Sequence, residues 1–164
     1  MGVAARTRGY IIRRMKRLAA ALGVLALAGG SLACNEAPSA SRGTIPPIDV
    51  AAPPPDALRT STGLAYRVLA SGTGGRHPHA GSRVVVNYTG WTTDGTIIDG
   101  VPVGSPPVTI QLEDAMPGWR EGVHMMTAGD KWRFWIPPAL AYGGEPGKPR
   151  GMLVYDISLV QFVD

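Results

Sequence analysis

The chain has 164 residues and a net charge of +4, but that charge is concentrated at one end. Residues 1–33 hold six basic residues and no acid, leaving ten basic and twelve acidic residues beyond them. The high isoelectric point therefore belongs to the leader, and a basic surface for nucleic acid is excluded from the rest.

The basic cluster (Arg6, Arg8, Arg13, Arg14, Lys16, Arg17) is followed by eleven small and apolar residues, LAAALGVLALA, from Leu18 to Ala28. That run is too short for a membrane-spanning helix, which needs about 20 residues. A basic start, a short apolar core and small residues after it form the layout of a secretory signal peptide, read here over residues 1–33. Met15 is an alternative start, because the chain from Met15 to Cys34 is a complete signal by itself. Cys34 is the single cysteine, so no internal disulfide is possible. Ser31-Leu32-Ala33-Cys34 resembles a bacterial lipobox, whose cysteine takes a lipid and becomes the mature N-terminus, with Ser31 where leucine is usual. Ser31 and Ala33 also satisfy the small-x-small rule of ordinary signal peptidase, and an uncleaved anchor is the third option. The expectation is an exported protein of the cell envelope, lipid-anchored through Cys34, facing the periplasm and touching the membrane only through that lipid.

Residues 35–58 contain six prolines and no helical or strand periodicity. Such a stretch cannot bury enough apolar surface to offset the entropy of ordering, so residues 34–58 are expected to be a disordered tether. Residues 59–164, about 106 in number, are enough for one modest core without disulfide or metal. Glycine and proline punctuate this part, and the short apolar runs between them predict strands at 64–70, 83–91, 108–112, 131–136 and 153–163. Alternation in the second places Val84, Val86 and Tyr88 on one face. Thr93-Asp94-Gly95-Thr96 reads as a tight turn. A helix is predicted from Pro117 to about Met126: Pro117 suits the first turn, and Trp119, Val123 and Met126 form one apolar stripe. A mostly antiparallel sheet burying that stripe gives an α+β domain.

Four blocks of this domain resemble FKBP-type peptidyl-prolyl cis-trans isomerases. They are Val86-Asn87-Tyr88-Thr89-Gly90 with Asp94-Gly95 and Asp99; Gly118-Trp119-x-Glu121-Gly122-Val123 with Met126 and Gly129; Ile136-Pro137 with Ala141-Tyr142-Gly143; and Leu153-Val154-Tyr155-Asp156-Ile157. They occur in family order over nearly the whole domain. The resemblance implies a half-barrel sheet around one helix, with a hydrophobic pocket that holds an X-Pro segment. It makes Trp119 the pocket floor, and Tyr88, Ile98, Val108, Met116 and Tyr155 the walls. Ala115 would give a backbone contact to the peptide, Asp99 a polar contact near the twisting carbonyl, and Tyr142 a hydroxyl donor. No cofactor or metal is implied. The implied partners are proline-containing unfolded or nascent exported proteins and macrolides such as rapamycin, and a monomer is the default.

Rotating an amide bond costs about 18–20 kcal/mol because the planar form is resonance-stabilised. The twisted amide is less polar, so an apolar, water-poor pocket favours it by differential binding. Residue by residue, blander readings exist. The aromatics and Met116 could be ordinary core, Asp99 a turn residue before Gly100, and Tyr142 a buried tyrosine. His77-Pro78-His79 lacks a third metal ligand nearby, and no serine sits in a nucleophile elbow. Two features depart from the family pattern. Ile98 stands where phenylalanine is usual, and the loop after Tyr142, GGEPGKPRGM, is short and lacks the I-P-P stretch whose apolar residues usually overhang the pocket, with Pro149 and Met152 as partial substitutes. A catalytically weak peptide-binding or chaperone module is therefore the alternative to a working isomerase.

Overall fold

The computed structural model describes residues 45–102 and 104–164. The leader, Cys34 and the first part of the tether lie outside the described residues. Seven strands form one sheet: β1 (Leu58–Arg59), β2 (Ala65–Ala70), β3 (Arg83–Thr92), β4 (Ile97–Gly100), β5 (Val108–Gln111), β6 (Lys131–Ile136) and β7 (Leu153–Val163). Their order is β1-β2-β6-β7-β3, and the far edge of β3 is shared by β4 and β5. All the pairings are antiparallel. The five strands expected from sequence are present within a residue or two; β1 and β4, at two and four residues, carry too little periodicity to be seen beforehand.

The frame of the sheet is β3 against β7, running from Arg83↔Val163 to Thr92↔Leu153 with one bulge after Val85. Alternation decides which side chains face inward. Val84 and Val86 of β3 and Leu153, Tyr155, Ile157 and Leu159 of β7 are buried on the inner face. The turn after β3 forms as expected: Gly95 adopts φ 85, and Asp94 accepts from Thr96 N at 3.0 Å and from the Thr92 hydroxyl.

The one α-helix among the described residues, α1 (Pro117–His124), crosses the inner face and ends two residues earlier than expected. Pro117 takes its first turn, where a missing N–H costs nothing. Trp119, Val123 and Met126 are buried as one stripe. Two glycines set how deeply the helix sits. A Cβ on Gly122 would lie 2.6 Å from Phe134 Cε1, and one on Gly118 would lie 2.5 Å from Ile136 Cγ2. Both contacts are with β6, so helix backbone and strand side chains meet directly.

Within the stretch expected to be a tether, Asp49, Val50 and Ala57 contact the outer face of the sheet. Arg67 and Arg133 are directly opposite each other on β2 and β6. Like charges in that position repel. Asp49 resolves the conflict by accepting from Arg133 Nη1 at 2.5 Å and from Arg67 Nη1 at 3.2 Å. Arg133 also holds Asp156, its β7 neighbour, with Nε at 2.6 Å and Nη2 at 2.8 Å. Burial opposes the Arg133 charge, and the two carboxylates more than restore it, so its pKa is raised. Trp135 Nε1 donates to the Asp49 carbonyl at 2.9 Å, and Val50 and Ala57 pack on Ala65, Trp135 and Val154. Composition alone could not show that one aspartate of a proline-rich stretch would find two arginines waiting on a sheet.

Gly122→Ala tests the close helix approach. Helix propensity alone favours alanine by about 1 kcal/mol, whereas overpacking costs about 1–3 kcal/mol. The expected result is a lower urea midpoint. Asp49→Ala leaves Arg67 facing Arg133 and is expected to cost about 2 kcal/mol in the same measurement.

Candidate functional site

A cavity of about 230 Å³ opens between α1, the β3–β7 pair and the loop after Tyr142. Its walls include Tyr88, Asp99, Ile110, Ala115, Met116, Trp119, Tyr142 and Tyr155. Trp119 lies at the base, 5% exposed, because α1 presents it from the helix's first turn toward the inner face of the sheet. Tyr88 meets its indole edge-on at 4.9 Å between centroids, and Tyr155 does so at 5.5 Å. The two tyrosine rings are 6.3 Å apart. Edge-to-face contacts of this kind hold three rings in fixed orientation. Tyr155 has room only because its partner on β3 is Gly90, where any Cβ would overlap the tyrosine ring. The Trp119 Nε1 is buried without a hydrogen-bond partner among the described residues.

Several polar groups line the cavity. The Tyr88 hydroxyl donates to Asp99 Oδ2 at 3.1 Å, while Asp99 Oδ1 accepts from Gly100 N at 2.8 Å, so both carboxylate oxygens are oriented. The Ala115 N–H is already committed to the Leu112 carbonyl at 3.2 Å, which leaves its own carbonyl as the group it can offer a ligand. Lys148 Nζ lies 5.2 Å from the centre of the Tyr142 ring. Burial, then the Asp99 charge and its hydrogen bond, push the Tyr88 phenol up to about 12. Burial also raises Tyr155, with the neighbouring Tyr142 and Asp99 adding to it.

The structure thus brings together Tyr88, Asp99, Ala115, Met116, Trp119, Tyr142 and Tyr155, and departs from the sequence expectation at two wall positions. Val108 begins β5 and is 38% exposed; Ile110, two residues along on the same strand face, lines the cavity in its place. The reason is positional, since the first residue of an edge strand has fewer neighbours to cover it. Ile98 packs against the core and is not part of the cavity wall. Ile110, Asp114 and Lys148 line the cavity but were not singled out beforehand. Strand alternation from Val108 could have found Ile110. Nothing in the sequence pattern points Lys148 toward Tyr142. Among the described residues, no group of three potential metal ligands is present.

A sheet folded over one helix, with an aromatic-floored cavity between them, defines the class of domain, and comparison shows its family. The model of the FKBP-type peptidyl-prolyl cis-trans isomerase family matches residues 74–160, and the chain belongs to that family. It is similar to the FKBP-type isomerase FkpA of Aeromonas hydrophila, with 42% identity over 62% of this chain and 38% of that protein. It is also similar to the macrophage infectivity potentiator of Trypanosoma cruzi, with 35% identity over 67% of this chain and 58% of that one. The chain therefore spans between about two fifths and three fifths of these relatives. The crystal structure of Escherichia coli FkpA aligns with a TM-score of 0.60 at 37% identity, covering 66% of this chain and 52% of that one. A peptidyl-prolyl isomerase structure from Pseudomonas syringae pv. tomato aligns with a TM-score of 0.60 at 30% identity, covering 68% and 84%.

Tyr88 provides a spectroscopic test of the rim. Its phenol holds the proton more tightly folded than unfolded, where its value is 10.0. Its contribution to stability is therefore complete below about pH 10 and is lost as the pH rises through about 12. Ultraviolet titration of the native protein is expected to show a late-ionising phenol, moved part of the way back toward 10 by Asp99→Asn. A titration unchanged in that variant would remove the Tyr88–Asp99 coupling.

Proposed function

We propose that the domain catalyses cis-trans isomerisation of X-Pro bonds in exported proteins. The observation that carries this is the aromatic floor: Trp119 held edge-on by Tyr88 and Tyr155 beneath the cavity. The proline ring of a substrate would rest on Trp119 between the two tyrosines. Met116 and Ile110 would close the sides and exclude water from the rotating bond. Twisting that bond removes amide resonance and lowers its polarity, so the apolar floor binds the twisted form better than the planar one. Asp99, held by Tyr88 and Gly100, would face the rotating carbonyl. Tyr142 would donate its hydroxyl to the peptide, and the free Ala115 carbonyl would accept from it. No bond to the protein forms at any step. Uncatalysed X-Pro isomerisation takes tens to hundreds of seconds, slow enough to limit folding.

The setting of this activity belongs to the same reading. The sequence layout of the leader and of Cys34 supports export and lipid attachment. A relative from Legionella longbeachae, 37% identical, bears the name outer membrane protein MIP. Among the described residues no helix is long and apolar enough to cross a membrane. The isomerase domain is read as residues 59–164, with Asp49 of the preceding stretch attached to its sheet. Unfolded proline-containing segments are the proposed clients, rapamycin a proposed inhibitor and the monomer the proposed state. One observation favours the alternative of a weak catalyst that mainly binds peptide: the loop after Tyr142 contributes only Lys148 to the cavity and no apolar side chain.

The test is a prolyl-isomerase assay on short X-Pro peptides with the chain from residue 35 onward, with and without rapamycin. Acceleration that rapamycin blocks is expected. Asp99→Val combined with Tyr142→Phe is expected to lower kcat/KM by roughly ten- to thirtyfold, the loss of two modest hydrogen bonds. A folded protein giving only the uncatalysed rate would end the enzyme reading and leave the binding module.

A further inference from the structure

We propose that Lys148 is a specificity-determining residue, selecting substrates with an acidic side chain next to the proline. This rests on the isomerase reading above. Lys148 is exposed at the cavity rim and shares the cavity with Trp119, Tyr142 and Tyr155. Its ammonium lies 5.2 Å from the Tyr142 ring centre, within the range of a cation–π contact. The loop that carries it is built of consecutive turns: Glu145 N donates to the Tyr142 carbonyl at 3.0 Å, and Lys148 N to the Glu145 carbonyl at 3.2 Å. Gly143, Gly144 and Gly147 supply the positive φ angles those turns need. Pro149 directly follows the lysine and restricts the backbone on that side. The cation is thus placed by the backbone as well as by the ring.

What the lysine lacks is a carboxylate. Among the described residues it makes no ion pair, although two acidic residues line the same cavity. Asp99 is engaged by Tyr88 and Gly100. Asp114 ends the short turn before α1. Both carboxylates repel an acidic ligand, and Lys148 is the one cation among the described residues that line the cavity, so it is the group that attracts a substrate carboxylate. A Glu or Asp flanking the bound proline meets an ammonium already in place, so little side-chain entropy is lost in forming the pair. Where an apolar overhang would reward an apolar neighbour of the proline, this loop rewards a negative one.

The experiment compares kcat/KM for three peptides, Ala-Glu-Pro-Phe, Ala-Leu-Pro-Glu and Ala-Leu-Pro-Phe, in the chain from residue 35 onward. Lys148→Ala is expected to lower at least one of the two Glu peptides about three- to fivefold, the size of an exposed ion pair, and to leave Ala-Leu-Pro-Phe unchanged. Lys148→Arg is expected to retain the preference, and high salt to erase it in the parent protein. Equal losses on all three peptides, or no change on any, would overturn the proposal. Dissociation constants for the same peptides, read from tryptophan fluorescence, keep the test independent of turnover. If no peptide is isomerised, the isomerase reading fails, and a Lys148-dependent preference for Glu in binding still supports the specificity. Equal binding of Glu and Leu peptides overturns it.

Discussion

The close approach of α1 to β6 is the constraint on which the rest of the domain depends. Gly118 and Gly122 have no side chains, so Ile136 and Phe134 press directly on the helix backbone. That contact sinks the helix far enough for Trp119 to reach the space between Tyr88 and Tyr155. A helix one methyl group further out would raise the indole into the cavity it now floors. Gly90 completes the arrangement from the other side by leaving room for the Tyr155 ring. Three missing Cβ atoms, on two elements, therefore shape one apolar site. Glycine costs helix stability, and here that cost is offset by the burial of large side chains that the close contact permits.

The outer face follows a different logic. It carries opposed arginines on β2 and β6, which would weaken the pairing of those strands. The chain supplies Asp49 from outside the sheet and Asp156 from β7, and the four groups form a partly buried network. The network fastens the stretch before β1 to the face away from α1, so that stretch does not occupy the inner face where the cavity lies. Packing of Val50 and Ala57 over Trp135 and Val154 adds an apolar contribution to the same attachment.

At the rim, the polar groups follow a gradient from fixed to available. Asp99 is held by two donors and Asp130, elsewhere in the fold, by three. Lys148 is held only by an aromatic ring and by the shape of its loop. Asp99 is fixed in orientation, whereas the Lys148 ammonium is left open to a partner. The short loop after Tyr142 thus exchanges apolar cover for a charge.

Much of this protein was legible in its sequence, for reasons that are local. Period-two alternation in 83–91 and the apolar run of 153–163 marked the central strands, because each turns one face toward the core. The stripe Trp119, Val123, Met126 marked the helix, and the ordered blocks around Tyr88, Trp119, Tyr142 and Tyr155 marked the family and most of the cavity. What required the tertiary structure was every feature set by residues distant in the chain. Asp49 is an unremarkable acid in a proline-rich stretch until two arginines of the sheet converge on it. Ile110 replaces Val108 in the wall because an edge strand's first residue is left uncovered. Lys148 becomes part of the site only when its turns carry it over Tyr142. Sequence periodicity reports which face of an element is buried; it holds no information about which charges meet across elements, and that was decided by the fold.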